Sequence, residues 1–301
     1  MWIRPSFPRL ATLAGLCTGT LALADAAWAA DTPAADTPAE TTAPPAHTAR
    51  HGPTERAGPD LLALYATLAT RRFVDLTHSF GPDTPHWKGF GEMKVRTLYT
   101  IAKDGFHVDE FCHVGQWGTH VDPPAHFHEG KKTVDQIDPK DMLMPLVVLD
   151  VHKKAAANPD YLLTLEDVQD WETRHGRIPE HAFVAMRTDW SKRWPDGAAM
   201  QNRDAQGVAH YPGWSMAVLK LLYEQRHIAA SGHETTDTDG GINATKDDYS
   251  MESYVLGTNH YQIEMLADLD RVPDYGALVI VSFPKPAHGS GFPARVIAIV
   301  P

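Results

Sequence analysis

Two imidazoles and one carboxylate lie within seven residues of each other, from His120 to His126. Side chains alternate along an extended segment, so His120 and Asp122 point in the same direction, as two ligands of one metal must. The two prolines after Asp122 fix φ and end regular pairing, and the chain turns so that His126 can return to the same point. Imidazole and carboxylate ligands together suit Zn, Mn or Fe(II). The pattern predicts a divalent metal site.

The stretch 116–127 resembles the signature of the cyclase / kynurenine formamidase family, H-x-G-T-H-x-D-x-P-x-H-F. The matching residues are Gly118, Thr119, His120, Asp122, Pro124, His126 and Phe127. The first position differs, because Gln116 replaces a histidine that is a metal ligand in the family. We expect Gln116 to be a weak ligand through its amide oxygen, or to hold a water. The resemblance implies a metal-dependent hydrolase with a swivelling β/β/α fold.

A second carboxylate comes from a later part of the chain. The family has a metal-bridging glutamate before a leucine-rich stretch, and Glu264 occupies that place. A charged Glu264 between two apolar neighbours is costly to bury unpaired, and coordination explains it. The family histidine twelve residues earlier falls on Glu252, so the second-metal position is altered or is supplied by His233. We therefore expect one divalent ion, Mn or Zn.

A glycine-flanked polar loop, residues 231–241, follows a predicted strand, and such loops often carry catalytic side chains. His233 in this loop is the second imidazole and the second catalytic residue expected at the site, where it holds the substrate carbonyl or serves as an extra ligand. Asp237 or Asp239 is expected to orient it through its other ring nitrogen. Isatin-hydrolysing members of the family carry a similar Gly-His-Glu segment. The alternative is a solvated loop with acidic turn residues.

The remaining candidates define the chemistry. His126 is placed to take a proton from a metal-activated water and pass it to a leaving nitrogen. Pro85-His86-Trp87 resembles the Pro-x-Trp of kynurenine formamidases, so Trp87 is either a wall that stacks on an aromatic substrate or a lid residue. A serine mechanism lacks a Gly-x-Ser-x-Gly motif.

The first 59 residues are expected to lie outside the fold. Arg4 and Arg9 precede the apolar stretch 10–23, and an A-x-A cleavage pattern ends at Ala29, so residues 1–29 read as a signal peptide. Residues 30–59 are rich in Pro, Ala and Thr and predict a disordered linker. One domain then spans 60–301. The location expected is periplasmic or secreted.

Charge and cysteine usage limit the partners. The chain has 27 basic and 38 acidic residues, which argues against nucleic acid and anionic lipid as partners. No run after the signal peptide is long and apolar enough to span a membrane. Removal of Cys17 leaves Cys112 alone, which we expect to be a buried small hydrophobe. Stability must then come from the core or from subunits, and a homo-oligomer, dimer or tetramer, is expected.

The periodicity predicts a mixed α/β domain with a β-rich core and flanking helices. Helices are expected from Leu61 to about Arg72, over 164–176 and over 214–223. Strands are predicted over residues 73–77, 93–101, 106–114, 145–151, 182–187, 228–231, 278–283 and 295–300.

These features together predict a metal-dependent hydrolase of an aryl amide, either an arylformamidase of the N-formylkynurenine type or an isatin-type cyclic amidase. The substrate is then a small aromatic amide. A rival hypothesis is a non-catalytic periplasmic protein that binds a metal or an aromatic ligand. The replacement of the first motif histidine by Gln116 is its best support.

The signal peptide gives the first testable prediction. Exported protein should lack residues 1–29, because the positive amino-terminal segment, the apolar stretch and the cleavage pattern occur in the required order. Mass spectrometry of periplasmic material measures this directly. An intact Met1 in that material would contradict the prediction.

Overall fold

The computed structural model of the protein describes residues 60–301, and the predicted signal peptide and linker lie outside the described residues. The described part is a mixed α/β domain built on a nine-stranded sheet, with a separate two-stranded hairpin. The predicted fold class is confirmed. Between residues 60 and 301, no helix is long and apolar enough to cross a membrane.

Eleven strands are present in the described residues. They are β1 Arg72–Asp75, β2 Lys94–Tyr99, β3 Val108–Cys112, β4 His120–Asp122, β5 Leu143–Asp150, β6 Phe183–Arg187, β7 Ala230–His233, β8 Tyr261–Glu264, β9 Ala277–Ser282, β10 Phe292–Pro293 and β11 Arg295–Val300. The large sheet has the order β1-β11-β9-β5-β6-β7-β8-β4-β10, and β2 pairs with β3. Strands β5 to β8 are parallel, whereas β4 runs antiparallel to β8.

Short helices connect the strands. They are α1 Leu61–Ala69, α2 Ile101–Asp104, α3 His152–Ala157, α4 Leu165–His175, α5 Gly197–Gln201, α6 Met216–Lys220, α7 Gly241–Thr245 and α8 Ser250–Gly257. Helix α4 begins as predicted, because Thr164 and Asp167 form a capping box. The predicted helix over 214–223 is divided into α6 and a π-helical turn, Leu221–Gln225. Helix α1 ends three residues before the predicted Arg72, where β1 starts.

The central strands are buried on both faces, which explains their continuous apolar runs. On β5, Leu146 and Val148 join one core cluster, formed between the strands of the curled sheet. Their neighbours Val147 and Leu149 join a second cluster on the opposite face. This second cluster includes Trp171 of α4 and residues of α6 and α8. The strands between the two clusters provide a rigid frame for side chains at their ends.

The carboxyl ends of β7 and β8 meet the start of β4 at one edge of the sheet. Because β4 is antiparallel to β8, the register places His120 opposite Glu264 and Asp122 opposite Gln262. Ligands of open α/β sheets usually bind beyond the carboxyl ends of the strands. This edge is where the predicted metal ligands converge.

The hairpin β2–β3 behaves differently from the rest of the domain. Every residue of β2 is exposed, including apolar ones. Cys112, at the end of β3, is also exposed, so the prediction that it is a buried small hydrophobe is wrong. The reason is that the hairpin pairs only with itself and covers no core.

Candidate active site and metal centre

Three predicted ligands form a compact buried group. His120 Nε2 lies 3.5 Å from Asp122 Oδ2 and 3.6 Å from Glu264 Oε2. Their potential ligand atoms all lie within 4.8 Å of one another, and all three residues are buried. Two carboxylates and one imidazole at this spacing are a donor set for a divalent cation.

The backbone before β4 orients the first imidazole. His120 Nδ1 lies 2.8 Å from the carbonyl oxygen of Gly118 and donates to it, so Nε2 keeps its lone pair toward the carboxylates. Gly118 has a φ of +63°, and a Cβ there would lie 2.9 Å from Cβ of Phe80. Only glycine satisfies both constraints without strain. The Gly118 of the sequence motif therefore fixes the orientation of a metal ligand.

Gln262 holds the two carboxylates in place. Its amide nitrogen donates to Glu264 Oε1 at 3.1 Å and lies 3.4 Å from Asp122 Oδ2. Thr238 Oγ1 donates to Gln262 Oε1 at 2.7 Å, so the orientation of the amide is fixed. Sequence reasoning missed Gln262. It could have been found from its position two residues before Glu264 on the same strand, because that spacing places both side chains on one face of the sheet.

The protein groups alone do not stabilise the charged forms of all the carboxylates in this part of the site. Desolvation raises the pKa of Glu264 and of Glu252 well above the usual range, and neighbouring carboxylates add to both shifts. For Asp122, burial opposes ionisation, but His120 and hydrogen bonds lower its pKa. Asp122 Oδ1 is buried without a hydrogen-bond partner. A divalent ion fits this group, because it would stabilise the charged carboxylates and give this oxygen a partner.

A second group shares Asp122 with the first. Asp122, His126 and Glu252 also place potential ligand atoms within 4.8 Å of one another. His126 Nε2 lies 3.9 Å from both Asp122 Oδ1 and Glu252 Oε1. The second-metal position was expected to be altered or to be supplied by His233. In the structure this group contains Glu252, a residue of α8, and not His233. Asp239 holds the start of α8 by accepting from the backbone nitrogens of Met251 and Glu252.

His126 lies on the cavity side of this second group and keeps part of its side chain exposed. Burial is the main cause that lowers its pKa below 6.5, and the neighbouring His120 also lowers it, while Asp122 acts in the opposite direction. The ring is therefore neutral near pH 7, as proton acceptance requires.

Gln116 lies beside His126 and lines the same cavity as the ligand groups. Its amide nitrogen donates to the carbonyl oxygen of Ser290 at 2.6 Å and lies 3.4 Å from His126 Nδ1. A Cβ on Gly291 would lie 2.0 Å from this nitrogen, so the glycine-rich loop packs directly on the amide. The structure therefore ties the Gln116 side chain to the loop around Ser290.

Trp214 contacts the other nitrogen of the His233 ring. Its indole nitrogen donates to His233 Nδ1 at 3.3 Å, and both side chains are fully buried. The two aspartates predicted to contact His233 make other hydrogen bonds. Asp237 accepts from the hydroxyls of Tyr211 and Thr236, and Asp239 caps α8. The suggestion that one of these aspartates orients His233 is wrong. Trp214 lies in the segment just before α6 and gave no local sequence signal.

The ligands open onto one cavity of about 250 Å³. Trp87, Phe90, Phe127 and Tyr249 supply aromatic walls, and the carboxylates and imidazoles form the polar end. Trp87 Nε1 donates to the hydroxyl of Tyr249 at 3.2 Å, and its ring meets Phe90 edge to face at 5.3 Å. A flat aromatic molecule fits between such walls, with its polar group at the buried end.

Comparison with known proteins agrees with this geometry. The Cyclase family model matches residues 74–240, more than half of the chain. The chain belongs to the cyclase family. The match includes the metal-binding turn and the loop that carries His233, and it ends before Glu252 and Glu264.

Several isatin hydrolases resemble this chain over most of its length. Isatin hydrolase from Roseibium aggregatum is 32% identical over 242 residues, which cover 76% of this chain and 91% of that protein. The structure of isatin hydrolase A from Labrenzia aggregata bound to benzyl benzoate is 36% identical, with a TM-score of 0.74 over 80% of this chain and 98% of that one. An isatin hydrolase bound to the product analogue thioisatinate is 31% identical, with a TM-score of 0.74 over 80% and 97%.

The ligand geometry predicts unequal effects of two substitutions. Asp122→Ala should lose the metal, because it removes a buried charged ligand that both groups share. Gln116→Ala should retain most of the metal, because the amide nitrogen is bound to Ser290. Titration calorimetry with Mn²⁺ on chelator-treated protein measures both. Equal loss of binding in the two variants would make Gln116 a primary ligand and contradict the ranking.

Proposed function

We propose that the protein is a metal-dependent hydrolase that opens a cyclic aryl amide of the isatin type. One observation carries the proposal: the buried group His120, Asp122 and Glu264 lies at the polar end of an aromatic-walled cavity that also contains His126. The similarity to isatin hydrolases over most of the chain supports a lactam, rather than an open-chain formamide, as the substrate. An arylformamidase activity is the second candidate, because the same chemistry cleaves an N-formyl aryl amide.

One divalent ion, Mn or Zn, is proposed at His120, Asp122 and Glu264. When bound there, it lowers the pKa of a water and polarises the amide carbonyl. His126 accepts the proton of the attacking water at Nε2 as the oxygen adds to the carbonyl carbon. Asp122 and Glu252, each 3.9 Å from Nε2, stabilise the imidazolium. His126 then returns the proton to the amide nitrogen as the C–N bond breaks, which leaves a carboxylic acid and an aryl amine, and the acid loses its proton to water to become the carboxylate.

The aromatic residues orient the substrate in this scheme. Trp87 and Phe90 form one wall, and the hydrogen bond to Tyr249 keeps the Trp87 ring from rotating freely. An aryl ring between Trp87 and Phe127 would direct its carbonyl toward the metal ligands. We assign Trp87 to substrate binding on this basis.

The rival hypothesis of a non-catalytic binding protein has less support. A sequestering site would surround the ion with ligands, whereas here His126 lies beside the site on an open cavity wall. The similarity to catalytic relatives also favours an enzyme.

His126 provides a decisive variant. His126→Ala should keep the metal and lower the turnover of isatin by at least about a hundredfold, since a general base contributes two to four orders of magnitude. In the wild type, the lowered pKa means that the base form persists to pH values below 6.5, so kcat/KM should decrease only below that pH. Steady-state kinetics over pH 4–8, with N-formylkynurenine in parallel, tests this. Loss of metal in His126→Ala would instead make His126 a ligand.

The exposed hairpin supports the proposal of a homo-oligomer. An isolated two-stranded hairpin is marginally stable in water. Yet β2–β3 and the turn between them expose large apolar side chains, among them Ile101 at 71% and Phe111 at 58%. A second copy of the chain would cover them and supply the stability that this disulfide-free domain requires. Export to the periplasm or outside the cell remains our proposal from the amino-terminal sequence.

Oligomerisation through the hairpin is directly measurable. The wild type should be a dimer or tetramer by light scattering coupled to size exclusion, and the double variant Ile101→Glu/Phe111→Glu should be smaller, because charges replace the apolar contact. Leu165→Glu, an exposed position on α4, is the matched control and should not change the mass. A wild-type monomer, or a double variant of unchanged mass, would contradict the proposal.

A further inference from the structure

His233 lies behind the metal ligands rather than on the cavity wall. Its side chain is fully buried, and Nε2 lies 3.4 Å from Glu264 Oε1 without another polar partner. Glu264 therefore separates the His233 ring from the polar end of the cavity. A residue in this position can be a fourth ligand, or it can orient a ligand. The two roles require different ring nitrogens to carry the hydrogen.

Trp214 decides which nitrogen carries it. An indole nitrogen is a hydrogen-bond donor only. Since Trp214 Nε1 donates to His233 Nδ1 at 3.3 Å, Nδ1 is the acceptor and carries no hydrogen. The hydrogen of the neutral ring is then on Nε2.

We propose that His233 is a positioning residue whose Nε2–H donates to Glu264 Oε1, in a tautomer fixed by Trp214, and that it does not bind the metal. A ligating Nε2 would need a lone pair, and that would move the hydrogen to Nδ1, against the Trp214 N–H in a dry interior. The inference rests on the ion site that is part of the proposed function, but not on the substrate.

The consequence is a defined role for each oxygen of Glu264. Gln262 already donates to Oε1 at 3.1 Å, and a small rotation of the carboxylate completes the bond from His233. Both donors then hold Oε1, while Oε2 faces His120 and is left for the ion. The hydrogen bond from Trp214 to His233 and the bond from His233 to Glu264 together orient the Glu264 carboxylate. They thereby set the direction of the lone pairs that Oε2 offers to the ion.

His126 is the useful contrast within the same site. Gln116 Nε2 carries two hydrogens: it donates to the carbonyl oxygen of Ser290 at 2.6 Å and lies 3.4 Å from His126 Nδ1. Part of the His126 imidazole is exposed to water, as a residue that exchanges a proton with water requires. The His233 ring has no contact with solvent.

The tautomer of His233 can be read by NMR on wild-type protein labelled with ¹⁵N-histidine. Long-range ¹H–¹⁵N spectra should show hydrogen on Nε2 of His233 in the metal-free protein, and the same pattern after one equivalent of Zn²⁺. Assignment uses Trp214→Phe, which removes the donor but keeps an aromatic ring. Hydrogen on Nδ1, or loss of the Nε2 hydrogen when Zn²⁺ is added, would overturn the proposal. The readout is independent of catalysis, so failure of the proposed activity leaves it interpretable.

Metal affinity gives an independent measurement. His233→Gln places an amide N–H near the former Nε2, whereas His233→Leu removes the donor. The Kd for Mn²⁺ from calorimetry should change by less than about threefold in His233→Gln and should increase about 10–100-fold in His233→Leu, the range for partners of metal ligands. Equal losses in both variants would make His233 a ligand, and no loss in His233→Leu would remove the positioning role. Either result would overturn the proposal.

Discussion

The antiparallel register between β4 and β8 is the constraint on which the site depends. It places His120 opposite Glu264 and Asp122 opposite Gln262 at a buried sheet edge. Bringing carboxylates out of water costs several kcal/mol per charge, even after the surroundings relax. The raised pKa of Glu264 reflects this cost, because desolvation disfavours the charged form of the carboxylate. A divalent cation offsets it, so the pairing of two strands both creates the ligand set and makes an ion necessary for its charged form.

The surrounding elements restrict that arrangement without contributing ligands. Gly118 directs the imidazole of His120 through a backbone carbonyl, and Gln262 directs both carboxylates through one amide. Asp239 fixes the start of α8 and with it the position of Glu252. Because every residue of β7 and β8 is buried, these groups have little room to move. The aromatic walls then define one open side, where an aryl amide and water can meet the buried ligands.

Much of this could be predicted from local sequence. The alternation at His120 and Asp122, the prolines after them and the isolated charge at Glu264 each have a direct physical reading, and the structure brings those residues together. The exposure of Cys112 was not predictable, because strand periodicity does not reveal whether a hairpin packs on a core. The partner of His233 was also hidden. Trp214 lies 19 residues away, in the segment before α6, and only the tertiary fold brings its indole to the ring.

The central claim is that an ion held by His120, Asp122 and Glu264 activates the hydrolysis of a cyclic aryl amide. The most direct measurement is the rate of isatin opening by chelator-treated protein during titration with Mn²⁺ or Zn²⁺, followed by the loss of isatin absorbance. The account predicts negligible turnover without metal and a rate that rises until one ion per chain is bound. Turnover that does not depend on the ion, or no turnover of any lactam or formamide with the ion tightly bound, would contradict it.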